Sequence, residues 1–444
     1  VDVREAYKRK LISIPEAVAM VRTGDSIGVA MAAAEPPGML SALGTRRDQV
    51  YGVRVFSALL LKEYDFFLDP SMRGHFLLES WFYGPSERKA HSLGTVSLIP
   101  SHGRDWGWRK ALYDPPRIFW GTACPVDRHG CFSLSLGVGY EQALIDAAEV
   151  VVLEINPNLP RTYGDTIVHI SRVDYVVENP QPLMEITPVE PSSEDMAIGN
   201  FIAELIEDGS TIQLGIGGIP NAIAACLTGK QDLGVHTEMF TDGMVDLWHA
   251  GVITGRKKTL WRGKMVGNFA LGTSKLYDFI HENLAVEFQQ GRVTNDPHIL
   301  GRNYKMVSVN TALQVDLTGQ VVSESLGHLQ YSGTGGQVDT STGAQFSPGG
   351  KSIIALRSTA KNGAVSTIVP ELPPGAKVTL TRSDVDYVVT EYGVAHLKAR
   401  SIADRVRQLV AIAHPDFREE LRRGAVKNGL TLPVPGEQPG SVAF

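Results

Sequence analysis

Two rhythms of apolar positions alternate along the chain. In "SIPEAVAMVRTGDSIGVAMA", Ser13 and Glu16 form a capping-box pattern, Pro15 lies in the first turn of a helix, apolar positions follow, and a strand runs from Ser26. The same unit returns in "SSEDMAIGNFIAELIEDGSTIQLGIG", where Ile198, Ile202, Leu205 and Ile206 share one helical face ahead of a strand that runs from Thr211 into glycines. Helix and strand patterns alternating in this way predict an α/β protein with mostly parallel strands. The units also read as copies of one design. Gly24 and Gly209 each precede a strand, and "SRVDYVV" at 171–177 recurs as "SDVDYVV" at 383–389 in the same order. Between the copies, "ENPQPLMEITPVEPSSED" carries four prolines in eighteen residues, which suits an extended connection rather than a buried element. The expectation is two tandem, similar open-sheet α/β domains, 1–190 and 191–444, with the active site at their interface. The tail predicts two closing helices, the second starting at Pro415.

Bulk properties narrow the function. A chain of 444 residues, 43% hydrophobic and 20% charged, exceeds one ordinary core and supports two domains. Cys124, Cys131 and Cys226 match no zinc spacing, and "VDVREAYKRKL" opens without a basic-then-apolar leader, so a reducing, cytoplasmic setting is expected. The charge-free run from Gly209 to Gly229 is broken by glycines, Pro220, Asn221 and Gln213, so it does not read as a membrane span. A net charge of −6 with no basic stripe argues against nucleic acid, leaving an anionic ligand to meet a local basic pocket.

Candidate chemistry gathers in three stretches. "TIQLGIGGIPNAIAACL" reads as strand, glycine loop and helix, a turn whose free N–H groups and helix dipole suit an anion or a developing oxyanion. It lacks the third spaced glycine of a dinucleotide fingerprint and the Lys-Ser/Thr of a phosphate loop. A tight turn that needs glycine for its geometry accounts for it equally well. "QYSGTGGQVDTSTGA" at 330–344 offers a second glycine cluster, either a polar surface loop or a place where backbone approaches a ligand. Nearby Arg357 and Lys361, and Arg262 and Lys264 upstream, could grip phosphates or simply be solvated. The third stretch is "GVHTEMFTDGMVDL": Glu238 sits between apolar residues with no Lys or Arg within six positions. In a parallel sheet, the strand before Glu238 and the strand before the glycine turn would deliver both to one carboxyl edge. A structural Glu bonded to a turn is one reading; a carboxylate nucleophile toward an acyl group is the other.

Five ordered stretches, "QLGIGGIPNAI", "HTEMFTDGMVDL", "VNTALQVDLTGQV", "YSGTGGQVD" and "STAKNGAVSTIVP", resemble the signatures of the acetyl-CoA hydrolase/transferase family of class I CoA-transferases. The resemblance continues through "AMAAAEPPGML", "GPSERKAH" and "LPRTYGDTIVHIS" and is nearest to the 4-hydroxybutyrate and butyryl-CoA:acetate CoA-transferases of that family. It implies Glu238 as the nucleophile. It further implies coenzyme A and oxyanion contacts from Gly215, Ile216, Gly217, Gly218, Ile219, Pro220 and Asn221, from the "GTGG" turn with Gly335 and Gly336, and from Lys361. The substrates implied are an acyl-CoA thioester and small carboxylic acids, with no permanently bound cofactor and no metal; a homo-oligomer, dimer or tetramer, is expected. A thioesterase using the same glutamate is the rival enzyme, and a nucleotide or sugar-phosphate binding module the rival outside enzymes. Departures lie in the first half, where "VSLIPSHGRDWGWRKAL" is unusually aromatic and basic, so Arg104, Trp106 and Trp108 either shape the acid pocket or pack on the surface. Ala32–Pro37, with Glu35 and Pro36 past a strand's end, either faces the cleft and chooses the acid or is a structural turn.

Overall fold

The computed structural model describes residues 2–430. Its first half is a seven-stranded parallel sheet in the order Val96–Leu98, Phe76–Ser80, Val53–Ser57, Ser26–Val29, Ile118–Ala123, Val150–Ile155, Tyr175–Glu178. Its second half centres on a six-stranded sheet in the order Gly234–Val235, Thr211–Gln213, Met306–Thr311, Lys351–Ala355, Tyr387–Thr390, Gly393–His396, in which only the last pairing is antiparallel. Central strands such as Ile118–Ala123 are buried along their whole length, as a sheet covered on both faces requires.

The internal repeat has a physical signature. Five strands of each sheet follow one spatial order around the first strand of the half, and Gly24 and Gly209 both adopt positive φ, 78° and 76°, just before that strand. In "SRVDYVV" the Asp174 carboxylate accepts from Val151 N at 2.8 Å, and in "SDVDYVV" Asp386 accepts from Ser352 N at 3.2 Å. Each aspartate starts an incoming strand by capping its neighbour. The capping box of Ser13 with Glu16 forms ahead of helix Ile14–Ala19, and a second, Ser192 with Asp195, stands ahead of helix Ser193–Leu205. Residues 179–192 are neither helix nor strand, as their prolines dictate. The second closing helix begins at Arg418 rather than Pro415, which instead opens a 3-10 turn, Pro415–Phe417. No helix among the described residues is long and apolar enough to cross a membrane.

The halves share one apolar cluster containing Trp81, Trp106 and Tyr140 from the first and Met239, Phe240 and Phe269 from the second. Backbone bonds stitch them together: Val138 N to Asn268 O, Ala270 N to Leu136 O and Gly291 N to Gly139 O, each 2.8 Å. At two points the halves touch too closely for any side chain, because a Cβ on Gly333 would lie 2.0 Å from Trp81 O and one on Gly164 2.1 Å from Phe288 O.

Candidate active site

Strands Thr211–Gln213 and Gly234–Val235 are parallel neighbours, so the glycine turn and Glu238 emerge at the same sheet edge, as their spacing predicts. The chain at Glu238 is firmly held. Asn268 N and Phe269 N donate to its carbonyl at 2.8 and 3.1 Å, Thr237 N donates to Val266 O, and Thr237 Oγ1 to Leu214 O. His236 lies fully buried between Thr294 O and Asn303, and burial pushes its pKa down to about 3, so it is a neutral structural ring. Lys258, also buried, donates to Val235 O and Lys264 O, and burial lowers it to about 7.

Glu238 lines a cavity of about 370 Å³ walled by both halves. Met31, Leu59, Phe82, Gly103, Trp106 and Gly139 come from the first half; Gly215, Ile216, Pro220, Met239, Asn268, Phe269 and the 331–337 turn come from the second. Among the lining residues Glu238 is the one carboxylate and Arg88 the one Lys or Arg, and Arg88 is occupied by Tyr331, whose carbonyl accepts from its Nη1 and whose ring lies under its guanidinium. Asn295 Nδ2 donates to Glu238 Oε1 at 2.7 Å. Burial raises the Glu238 pKa, while Asn295 and the Gly336 N–H pull it back. Asn295 is itself aimed by Thr294 Oγ1 and Asn268 Nδ2, both donating to its Oδ1. The Gly336 backbone presses so close that a Cβ there would lie 2.3 Å from Asn295 Nδ2 and 2.5 Å from Glu238 Cδ. Gly336 is also the N-cap of helix Gln337–Phe346, so the second glycine cluster ends in a helix start and not in a free loop.

The remaining expected site residues divide. Gly215, Ile216, Pro220, Gly335 and Gly336 reach the cavity wall; Gly217, Gly218, Ile219, Asn221 and Lys361 do not. Gly217 is the N-cap of helix Gly218–Cys226 at φ 111°, a conformation that requires glycine, and a Cβ on Gly218 would strike Asp195 Oδ2 at 2.3 Å. Asn221 Nδ2 donates to Val189 O in the connection between halves. Lys361 sits exposed in the turn between strands Thr359–Ala360 and Val365–Ser366, and Arg357 is committed to a two-pronged pair with Asp195. Ala32–Pro37 turns inward instead of facing the cleft. Glu35 is fully buried and accepts from Leu61 N, Lys62 N and Tyr64 Oη, which anchors the 58–64 loop, while Met31 just before it lines the cavity.

The aromatic, basic stretch is split in its roles. Trp106 lines the cavity and stacks on Trp81 at 6.3 Å, whereas Trp108 donates to Arg104 O and lies under Arg109 outside it. Gly103 and Asn295 are the site residues that sequence reasoning missed. Gly103 comes from the other half, with a would-be Cβ only 3.0 Å from Glu238 Oε1. Asn295 stands in "TNDPHIL", where Asp-Pro announces a helix start and a preceding Asn looks like turn chemistry.

A carboxylate, an amide donor, a backbone N–H and a helix start thus meet at one largely apolar cavity walled by both halves. Comparison with known proteins gives the family. Residues 1–188 match the acetyl-CoA hydrolase/transferase N-terminal domain and residues 272–425 the C-terminal domain of the same family. The chain is 44% identical to succinyl-CoA:cyclohexane-1-carboxylate CoA transferase of Geobacter metallireducens, over 94% of this chain and 95% of that protein. It is 42% identical to 4-hydroxybutyrate coenzyme A transferase of Clostridium kluyveri, over 94% and 97%. The crystal structure of RipA from Yersinia pestis superposes with a TM-score of 0.93 at 37% identity, covering 97% of this chain and all of that one. The chain therefore belongs to the acetyl-CoA hydrolase/transferase family. Glu238 and the first glycine turn lie between the two matched segments.

Proposed function

We propose that this protein is a CoA-transferase that moves coenzyme A between an acyl-CoA and a free carboxylic acid, with Glu238 as the nucleophile. The observation that carries the reading is the Glu238 carboxylate on the cavity wall, touched by Asn295 Nδ2 and the Gly336 backbone and in no ion pair, the cavity's one Lys or Arg being held by Tyr331. A glutamate paired to Lys or Arg would be a poorer nucleophile. Glu238 attacks the thioester carbonyl, the C–S bond breaks, and an acyl-glutamyl anhydride and CoA thiolate result. The thiolate then attacks the glutamyl carbonyl, giving a glutamyl-CoA thioester and releasing the first acid. A second acid attacks that thioester and the sequence reverses. Each tetrahedral intermediate bears an oxyanion that the Asn295 amide and glycine-turn N–H groups stabilise, at about 3 kcal/mol per donor.

In this reading residues 191–444 supply the nucleophile and the coenzyme A side, and residues 1–190 supply the wall that reads the acid. Met31, Leu59, Phe82 and Trp106 make that wall apolar, and its one cation, Arg88, is taken up by Tyr331, which suits short monocarboxylic acids of the acetate, butyrate and 4-hydroxybutyrate kind. The test is to incubate the enzyme with acyl-CoA alone, treat with borohydride or hydroxylamine, and map the modified peptide by mass spectrometry. Modification at Glu238 is expected, and Glu238→Asp, whose arm is shorter, is expected to lose turnover about a hundredfold. Modification at another residue, or transfer surviving in Glu238→Ala, overturns the assignment. The ratio of CoA transferred to CoA set free distinguishes the transferase from a hydrolase.

A further inference from the structure

The carboxylate at 238 is roofed by a loop from the opposite half, and Gly103 and Arg104 of that loop bond across to the second half. Gly103 N donates to Gly335 O at 2.8 Å, and Arg104 N donates to Asp339 Oδ2 at 2.9 Å. The Arg104 guanidinium also binds Asp339 Oδ1. The Asp339 side chain has no solvent exposure, whereas that of Arg104 is one-third exposed. Asp339 occupies the first turn of helix Gln337–Phe346, where an acidic residue ordinarily serves its own helix end. Here it reaches across to the other half of the molecule. Burial raises its pKa to about 7, against the pull of Arg104. Its two bonds to Arg104 bring the Gly103 backbone against Glu238, Asn295 and Gly336.

Resting on the reading of Glu238 as nucleophile, we propose that the Arg104–Asp339 pair is a positioning latch that keeps water off the covalent intermediates, and so makes the enzyme transfer CoA rather than hydrolyse its thioester. Both intermediates are activated carbonyls. If water enters, its oxygen bonds to the glutamyl carbonyl carbon and the C–S bond breaks. The carboxylate of Glu238 is restored, one water proton goes to the thiolate to give free CoA, and the other goes to solvent. Neither Arg104 nor Asp339 touches the reacting atoms in this scheme; they hold the Gly103 roof in place. An ion pair with one partner wholly buried is costly to break, because the remaining charge is left uncompensated. The roof is therefore closed by default.

The experiment uses the full-length enzyme with whichever of acetyl-, butyryl- or 4-hydroxybutyryl-CoA the wild type turns over, and acetate or butyrate as acceptor. Acyl-CoA product and free CoA are measured together by chromatography. Arg104→Ala is expected to lower the ratio of transfer to hydrolysis at least tenfold. The glutamyl-CoA adduct at Glu238 still forms in this variant, but decays faster when no acid is present. Arg104→Lys, which keeps the charge and the backbone donor, is expected to restore most of the ratio, and Asp339→Asn to lose it as Arg104→Ala does. Should Arg104→Ala fail to fold, the contrast between Arg104→Lys and Asp339→Asn decides. A fall in total turnover at constant ratio, with an adduct lifetime equal to that of the wild type, would overturn the latch while leaving the nucleophile standing. Absence of any adduct at Glu238 in the wild type would remove the nucleophile, and the latch with it.

Discussion

The first half of the molecule buries four glutamates, Glu35, Glu87, Glu141 and Glu154, and the site in the second half is built around one. Burial raises the pKa of all five. What separates them is who answers the carboxylate. Glu35 accepts from two backbone N–H groups and a tyrosine; Glu87 from Leu60 N and Gly84 N; Glu141 from Met31 N and Tyr140 N; Glu154 from Gly38 N, Met39 N and Asn179. These four are loop anchors, with both oxygens engaged. Glu238 is answered by Asn295 on one oxygen and by the Gly336 N–H, and it faces a cavity. A buried glutamate is thus no mark of a site by itself; Glu238 differs in being half-buried, bonded by a side chain on one oxygen alone, and set on a cavity wall. The repeat sharpens the contrast. Ile27 pairs with Val55 as Ile212 pairs with Val235, and three residues past Val55 stands Ala58 where three past Val235 stands Glu238.

The comparison breaks most sharply at the donors. Asn295→Ala is expected to lower kcat about 10²- to 10³-fold, the loss typical of one oxyanion donor, with little change in melting temperature. A small loss would put Glu238 on the same footing as the anchors. Next, Gly336→Ala must displace Asn295 or Glu238 themselves and is expected to cost roughly 10- to 100-fold in kcat. A lowered melting temperature with normal specific activity would assign that glycine to folding instead.

For the anchors the expectation is reversed. Glu35→Ala strands Leu61 N, Lys62 N and the Tyr64 hydroxyl and is expected to cost about 1–3 kcal/mol of stability, read by denaturant melts, with kcat/KM within about twofold in the folded fraction. The pH dependence follows from the sign of its shift. With a folded pKa raised to about 7 by burial, Glu35 holds a proton that the unfolded chain has already released. Its contribution is therefore full below the unfolded carboxyl pKa and fades as pH rises through about 7. Glu35→Gln should flatten that slope, and an unaltered slope would assign it to other groups. The smallest effect is expected at Lys361, an exposed turn residue off the cavity wall; Lys361→Ala should change KM for acyl-CoA less than about threefold. A larger rise would bring that turn into contact with the coenzyme after all.

Much of this was legible in the sequence, and the reasons are local. The Ser13 capping box, the glycines ahead of first strands and the twin "VDYVV" stretches speak through neighbouring residues, so the α/β alternation and the repeat could be read directly. Glu238 stood out because carboxylates rarely stand among apolar residues far from any cation, and the structure sets it on a cavity wall. Residues whose meaning is set by another part of the chain were not legible. Gly103 matters only because the second half presses against it, and Asn295 only because its amide meets a glutamate. Glu35 misled for the same reason: its partners come from a different loop, and nothing beside it in sequence announces them.

The backbone contacts at Gly333 and Gly164 bear on how such a chain diverges among its relatives. Side chains in the cavity wall can be exchanged one at a time, since each exchange alters the room offered to a ligand. Where one half's backbone rests on the other's, with no side chain between to absorb a shift, neither half can move without the other following. The halves are separate in topology yet bound to a shared history. A chimera of one relative's first half with another's second should succeed only where those two points of contact keep their spacing.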